Sequence, residues 1–184
     1  MSTPPPHRTL YVIVCAAGPA AHVGELIQQA QDRSWDVQII TTPTGRTFVD
    51  VSALEAQTGR PIRSEYRKPG DDTRSAPQAD AIIVAPATYN TINKWALGIS
   101  DTYALGILAE SIGLGIPVAV LPFVNAALAA HPAYQRNIAD LRSADVSILH
   151  GKGHGPEPHA PGTGSALLDT FPWSLALDTV EHNG

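Results

Sequence analysis

The sequence predicts a doubly wound α/β fold, a parallel sheet covered by helices on both faces to give three α/β/α layers. Five short runs of Val, Ile, Leu and Ala alternate with longer segments of helical periodicity, the order that builds parallel sheets. Each run is apolar nearly throughout, as strands buried on both faces require. The 184 residues are 43% hydrophobic and 16% charged, enough apolar material to close the core of one domain.

The first strand is expected over residues 10–15. Residues 20–33 follow as a helix, because Ala20, Val23, Leu26, Ile27 and Ala30 fall on one face. A second strand spans 37–41, and a helix over 48–57 stops at Gly59. Residues 61–66 read as a short edge strand and 67–78 as a polar loop. A third strand at 81–85 leads to helices at 91–97 and 102–112. The fourth strand, 118–121, and the fifth, 146–149, flank a helix at 132–143. Right-handed crossovers between these strands give the doubly wound arrangement. Residues 151–164 hold five glycines, three prolines and two histidines and read as a flexible loop or clamp. A terminal helix at 172–180 closes the same domain. The Pro-rich residues 1–9 are expected to be a disordered tail, with residues 10–150 as the main body.

Composition narrows the function. The formal charge is −5 and no Lys/Arg cluster runs along the chain, which argues against a nucleic-acid surface and for a small-molecule or peptide partner. No apolar run reaches the roughly 18–20 residues that span a bilayer, and residues 1–9 lack the pattern of a signal peptide, so a cytoplasmic location is expected. The single cysteine, Cys15, rules out an intramolecular disulfide and reads as a buried thiol. His150, His154 and His159 have no accompanying cysteine or carboxylate cluster, so no metal site is expected.

In an open parallel sheet, ligands bind at the carboxyl ends of the strands, where strand order reverses. After the first strand come Ala16, Ala17, Gly18 and Pro19, a small-residue turn that either tightly joins strand to helix or lets a phosphate reach backbone N–H groups. Thr42 and Thr44 follow the second strand, and Thr88, Tyr89, Asn90 and Thr91 follow the third. Each group reads either as helix capping or as phosphate donors. Their coincidence on one sheet edge favours an anionic, phosphate-bearing ligand. Asn125, after the fourth strand, is either an N-cap or an amide that orients a carboxylate.

In this order, these stretches resemble the homo-oligomeric flavin-containing cysteine decarboxylases. That family includes phosphopantothenoylcysteine decarboxylase, lantibiotic peptidyl-cysteine decarboxylases and, more remotely, flavin prenyltransferases. The resemblance runs over residues 10–149. Its most specific piece is residues 84–94 (Val-Ala-Pro-Ala-Thr-Tyr-Asn-Thr-Ile-Asn-Lys), similar to the family's Pro-Ala-Ser-Ala-Asn-Thr box. Residues 122–125 with His131-Pro132-Ala133 resemble its Pro-x-Met-Asn-x-x-Met-Trp box. The resemblance implies a Rossmann-like fold, an FMN cofactor and a homo-oligomer, either trimer or dodecamer. It implies FMN contacts at Ala16, Ala17, Gly18, Thr42, Thr44, Thr88, Tyr89, Asn90 and Thr91, with Phe123 beside the isoalloxazine ring. Backbone N–H groups of Ala17 and Gly18 stand in for a missing Gly-Ser pair. Asn125 falls on the asparagine that holds the substrate carboxylate.

Departures from the family bear on catalysis. Its histidine base is absent from its usual segment, where Asp72 takes the slot, either as a base or as part of a solvated turn. Leu128 and Ala129 replace the Met and Trp of the second box, and the family's clamp pattern is unrecognisable in residues 151–164. The favoured expectation is an FMN-dependent lyase that oxidatively decarboxylates a cysteine-derived thiol, using Asn125 and Asp72. The alternatives are a non-decarboxylating redox or regulatory flavoprotein and, ranked last for want of basic residues near the strand ends, a flavin prenyltransferase.

Overall fold

The structure is a computed structural model that describes residues 8–67, 70 and 76–182. Its five strands are β1 (Arg8–Val14), β2 (Trp35–Thr41), β3 (Ala81–Ala87), β4 (Val118–Pro122) and β5 (Ser147–Ile148). All pairings are parallel, in the order β2-β1-β3-β4-β5. Period-two alternation divides the strand side chains between two cores. Leu10, Val12 and Val14 join Leu26, Ile27 and Ala30 of α1 (Gly24–Asp32) and Ala176, Leu177 and Val180 of α7 (Trp173–His182). On the other face Tyr11, Ile13 and Cys15 join Trp95 of α3 (Tyr89–Ala96), Leu108 of α4 (Tyr103–Leu114) and Leu141 of α6 (Pro132–Ser143). The doubly wound expectation therefore holds.

Local chemistry sets the helix ends. The Asp50 carboxylate accepts from Ala53 N at 3.0 Å and starts α2 (Val51–Thr58), three residues later than expected from apolar content. Gly59, at φ +67°, ends it. Helix α6 has the bounds expected for it, with His131 Nδ1 accepting from Ala133 N at 3.1 Å. The helix expected over 20–33 divides into a 3₁₀ turn, Gly18–His22, and α1. The division brings Gly24 close to α2, where a Cβ would lie 3.3 Å from Gln57 Oε1.

Two expectations need correction. The edge strand at 61–66 reduces to one parallel bridge between Ile40 and Arg63, because Pro61 has no N–H to extend the ladder. The segment after β5, expected as a flexible loop or clamp, folds back over the strand ends. It pairs in a single parallel bridge, Asn125 with His159, and continues into a 3₁₀ stretch, Gly164–Thr170. Ion pairs hold α7 to the end of α1, where Arg33 Nη1 donates to Asp178 Oδ1 at 2.6 Å and to Glu181 Oε2 at 2.8 Å. Trp35 Nε1 donates to Glu181 Oε1 at 3.0 Å. Strand β1 begins at Arg8, inside the stretch expected to be a tail, whose residues 1–7 lie outside the described residues. Among the described residues no helix is long and apolar enough to cross a membrane.

Candidate functional site

Strand order reverses between β1 and β3, so the crevice at their carboxyl ends is where a ligand is expected. A cavity of about 380 Å³ opens there. Ala16, Ala17, Thr88, Tyr89, Asn90, Phe123 and Asn125 line it, joined by Val124, Leu128 and His159. A larger cavity, about 690 Å³, runs beside β5, and none of the expected flavin contacts lines it.

Each wall follows from its local sequence. The Ala16-Ala17 turn leaves β1 with side chains too small to fill the crevice. Ala17 N donates to Cys15 O at 2.9 Å, so its N–H is engaged in the turn and not offered to a phosphate as expected. Thr88 caps α3, its Oγ1 accepting from Thr91 N at 3.3 Å and donating to Thr91 Oγ1 at 3.0 Å. Both hydroxyls also approach Cys15, whose thiol burial pushes up while these hydrogen bonds pull it back. The Thr91 hydroxyl thus turns into the core. Asn125 caps α5 (Ala126–Ala129), its Oδ1 accepting from Leu128 N at 3.0 Å.

Four expected contacts lie off this cavity, Thr91 with its buried hydroxyl among them. The Thr42 hydroxyl accepts from Gly45 N at 3.0 Å inside its own turn, and Thr44 is exposed. Gly18 sits under the 3₁₀ stretch, where a Cβ would stand 2.8 Å from Leu168 Cδ2 and 3.4 Å from Phe123 Cε1. Asp72 lies outside the described residues.

The structure adds groups that sequence reasoning missed. The His159 carbonyl accepts from Ala126 N at 2.8 Å, and its ring stacks on Phe123 with centroids 4.6 Å apart and 30° between planes. Phe171 meets the same Phe123 ring edge-on at 5.8 Å. Tyr89 stacks on Tyr134 at 5.4 Å, and Tyr134 meets His150 at 5.8 Å. Burial, helped by Arg142, lowers the His150 pKa to about 4, so its imidazole is neutral at ordinary pH. Burial likewise pushes the Tyr134 phenol up. The close-packed glycines of the returning segment are Gly155 and Gly164, where a Cβ would stand 2.5 Å from Leu149 O and 2.9 Å from His159 Nε2.

The chain matches the Flavoprotein family model over residues 2–167. It is 29% identical over 130 residues to the coenzyme A biosynthesis bifunctional protein CoaBC of Vibrio vulnificus, covering 67% of this chain and 31% of the relative. The Escherichia coli CoaBC is 29% identical over 143 residues, with coverages of 74% and 34%. The chain spans about a third of the length of these relatives. Among solved structures, the epidermin biosynthesis protein EpiD of Staphylococcus aureus superposes with a TM-score of 0.65 at 26% identity, covering 77% of this chain and 81% of EpiD. The FMN-dependent cysteine decarboxylase SpaF superposes with a TM-score of 0.70 at 22% identity, covering 96% and 98%; at that identity the likeness concerns the fold.

Proposed function

We propose that this chain, which belongs to the flavoprotein family, binds FMN in the crevice between β1 and β3 and oxidatively decarboxylates a cysteine-derived thiol. The observation that carries the reading is one cavity walled by the Ala16-Ala17 turn, the α3 N-terminus, Phe123 and Asn125. The names of its relatives support it, a cysteine decarboxylase among the structures and coenzyme A biosynthesis among the sequences.

The donor set fits FMN. Small side chains at 16 and 17 leave room beside the turn for a phosphate-bearing group, and the first-turn amides of α3 at Tyr89 and Asn90 supply donors and a favourable dipole. Phe123 supplies an aromatic wall for a planar ring. We keep Gly18, Thr42, Thr44 and Thr91 as further FMN contacts, Gly18 lying beside Leu168 of the 3₁₀ stretch. When bound, FMN supplies a two-electron acceptor.

Asn125 does the positioning. Its Oδ1 is held by Leu128 N, which directs the Nδ2 donor toward a substrate carboxylate. Among the described residues no Lys or Arg lines the cavity, and the amide dipole of Asn125 orients the carboxylate, which leaves as neutral CO₂. Val124 and Leu128, both apolar, face the same space. Self-association goes with the reading, as the resemblance to a homo-oligomeric family implies. So does a cytoplasmic location, where thiol substrates stay reduced.

Anaerobic mixing of the FMN-loaded protein with phosphopantothenoylcysteine or a cysteine-terminated peptide tests the proposal. Bleaching of the flavin with stoichiometric CO₂ is the expected result, and neither event with any thiol carboxylate overturns it. A non-decarboxylating flavoprotein is the second reading, favoured by the capping role of Asn125. It predicts tight FMN binding with no response to thiols.

A further inference from the structure

We propose that His159 is the catalytic proton-transfer residue of this site, taking the thiol proton of a substrate whose carboxylate Asn125 holds. The inference rests on the decarboxylase reading above.

Placement is the first argument. Asn125 and His159 are partners in a parallel bridge, pinned by Ala126 N donating to His159 O at 2.8 Å. Both side chains line the 380 Å³ cavity. A substrate held by its carboxylate at Asn125 therefore presents the thiol two carbons away toward the neighbouring residue, His159. The imidazole is also fixed. It stacks on Phe123 at 4.6 Å with 30° between planes, and Gly164 backs it so closely that a Cβ would stand 2.9 Å from Nε2. Fixed orientation is what proton transfer requires of a base.

Chemistry is the second argument. Among the described residues lining the cavity the other titratable one is Tyr89, and a phenol ionises too high to accept a proton near neutrality. Imidazole titrates near neutral pH and both accepts and returns a proton. On its far side His159 borders a smaller cavity, about 90 Å³, shared with His150 and Glu157. His150 is neutral there, which leaves Glu157 as the charged group among the described residues lining that smaller cavity.

The step balances. The thiol S–H proton passes to His159, a hydride leaves the adjacent carbon for the bound flavin, and a C=S bond forms. The C–CO₂ bond then breaks, its electron pair enters the carbon–sulfur system, and the imidazolium returns its proton to sulfur. The products are an enethiol, CO₂ and reduced flavin, with no net proton consumed.

The test compares FMN-loaded wild type with His159→Gln in anaerobic rapid mixing with a cysteine-terminated peptide. Bleaching should slow by about 100-fold or more, the acidic limb of the pH profile should vanish, and FMN affinity should stay within about threefold, a range that excludes gross misfolding. Imidazole should restore part of the rate to His159→Ala. A second readout uses ¹⁵N-histidine-labelled protein with its flavin chemically reduced, so that the peptide binds without turnover. The His159 titration midpoint should then rise with the cysteine-terminated peptide and stay put with its serine-terminated analogue. Bleaching by His159→Gln within about threefold of wild type, or loss of the acidic limb in Asp72→Asn instead, overturns the role of His159 alone. A wild type that binds FMN but never bleaches removes the decarboxylase reading and this inference together.

Discussion

Replacing Gly164 with alanine puts one methyl group into the contact between the returning segment and Phe123. The new Cβ would stand 2.9 Å from His159 Nε2 and 3.1 and 3.2 Å from Phe123 Cζ and Cε1, several tenths of an ångström inside ordinary contact on three atoms. Neither ring can yield freely, because Phe171 braces Phe123 edge-on and the Asn125 bridge pins the His159 backbone. Overpacking of this kind costs about 1–3 kcal/mol. At about 2–4 °C per kcal/mol for a chain of this size, melting should fall by roughly 2–12 °C. The assay is thermal and urea unfolding of Gly164→Ala in a cycle with His159→Ala. Removing the imidazole relieves the shortest contact, so the alanine should cost at least about 0.5 kcal/mol less in the His159→Ala background. An unchanged melting temperature, or strictly additive losses, would refute the packing described for residues 159–164.

Other outcomes follow from the same geometry. Asp50→Ala removes the Ala53 N–H cap and should cost about 1 kcal/mol in urea unfolding, with FMN affinity unchanged. His150 has a folded pKa near 4 against an ordinary 6.5, so the unfolded chain binds the extra proton between those values and stability falls as pH drops from 6.5 to 4. The slope reaches at most about 1.4 kcal/mol per pH unit, roughly 3 kcal/mol in all; urea midpoints of His150→Phe should lack it. The Glu181 carboxyl is pulled down although burial opposes it, because Arg33, Trp35 and Arg8 outweigh burial. Its contribution is present above the ordinary carboxylate range and lost as pH falls through the lowered value, so the stability gap between wild type and Glu181→Gln should close in acid. The Cys15 thiol, buried and pushed up, should resist disulfide reagents at pH 8 until the protein unfolds, as absorbance of the released thiolate will show.

The strands are legible in the sequence because parallel strands buried on both faces leave apolar runs with no alternation to misread, as in residues 10–14 and 81–85. Helix 132–143 is legible to the residue because His131 and Pro132 mark its start chemically. The break between the 3₁₀ turn and α1 is not, since Ala20 to Ala30 keep helical spacing straight through it; the packing of Gly24 against α2 decides it. At the site, small and hydroxyl residues at strand ends point to the crevice, and Ala16, Thr88, Phe123 and Asn125 do meet there. Thr42 reads the same way in sequence, but its hydroxyl closes a local turn, a competition that residue type alone does not resolve. His159 is hidden for a different reason. Its place depends on a return path set by long-range contacts with Asn125 and Phe123, and a Gly/Pro-rich segment carries no periodicity from which such a path can be read.

The most direct test of the central claim is an FMN titration, followed by flavin fluorescence, of the wild type and of Ala16→Asp, which places a carboxylate where the phosphate-bearing group would approach the turn. The account predicts one FMN per chain for the wild type and affinity weakened by about 100-fold or more in a variant that melts at the same temperature, on the order of 3 kcal/mol for a like charge at a poorly solvated site. A wild type that ignores FMN, or a variant that binds it equally well, would contradict the placement of the flavin between β1 and β3.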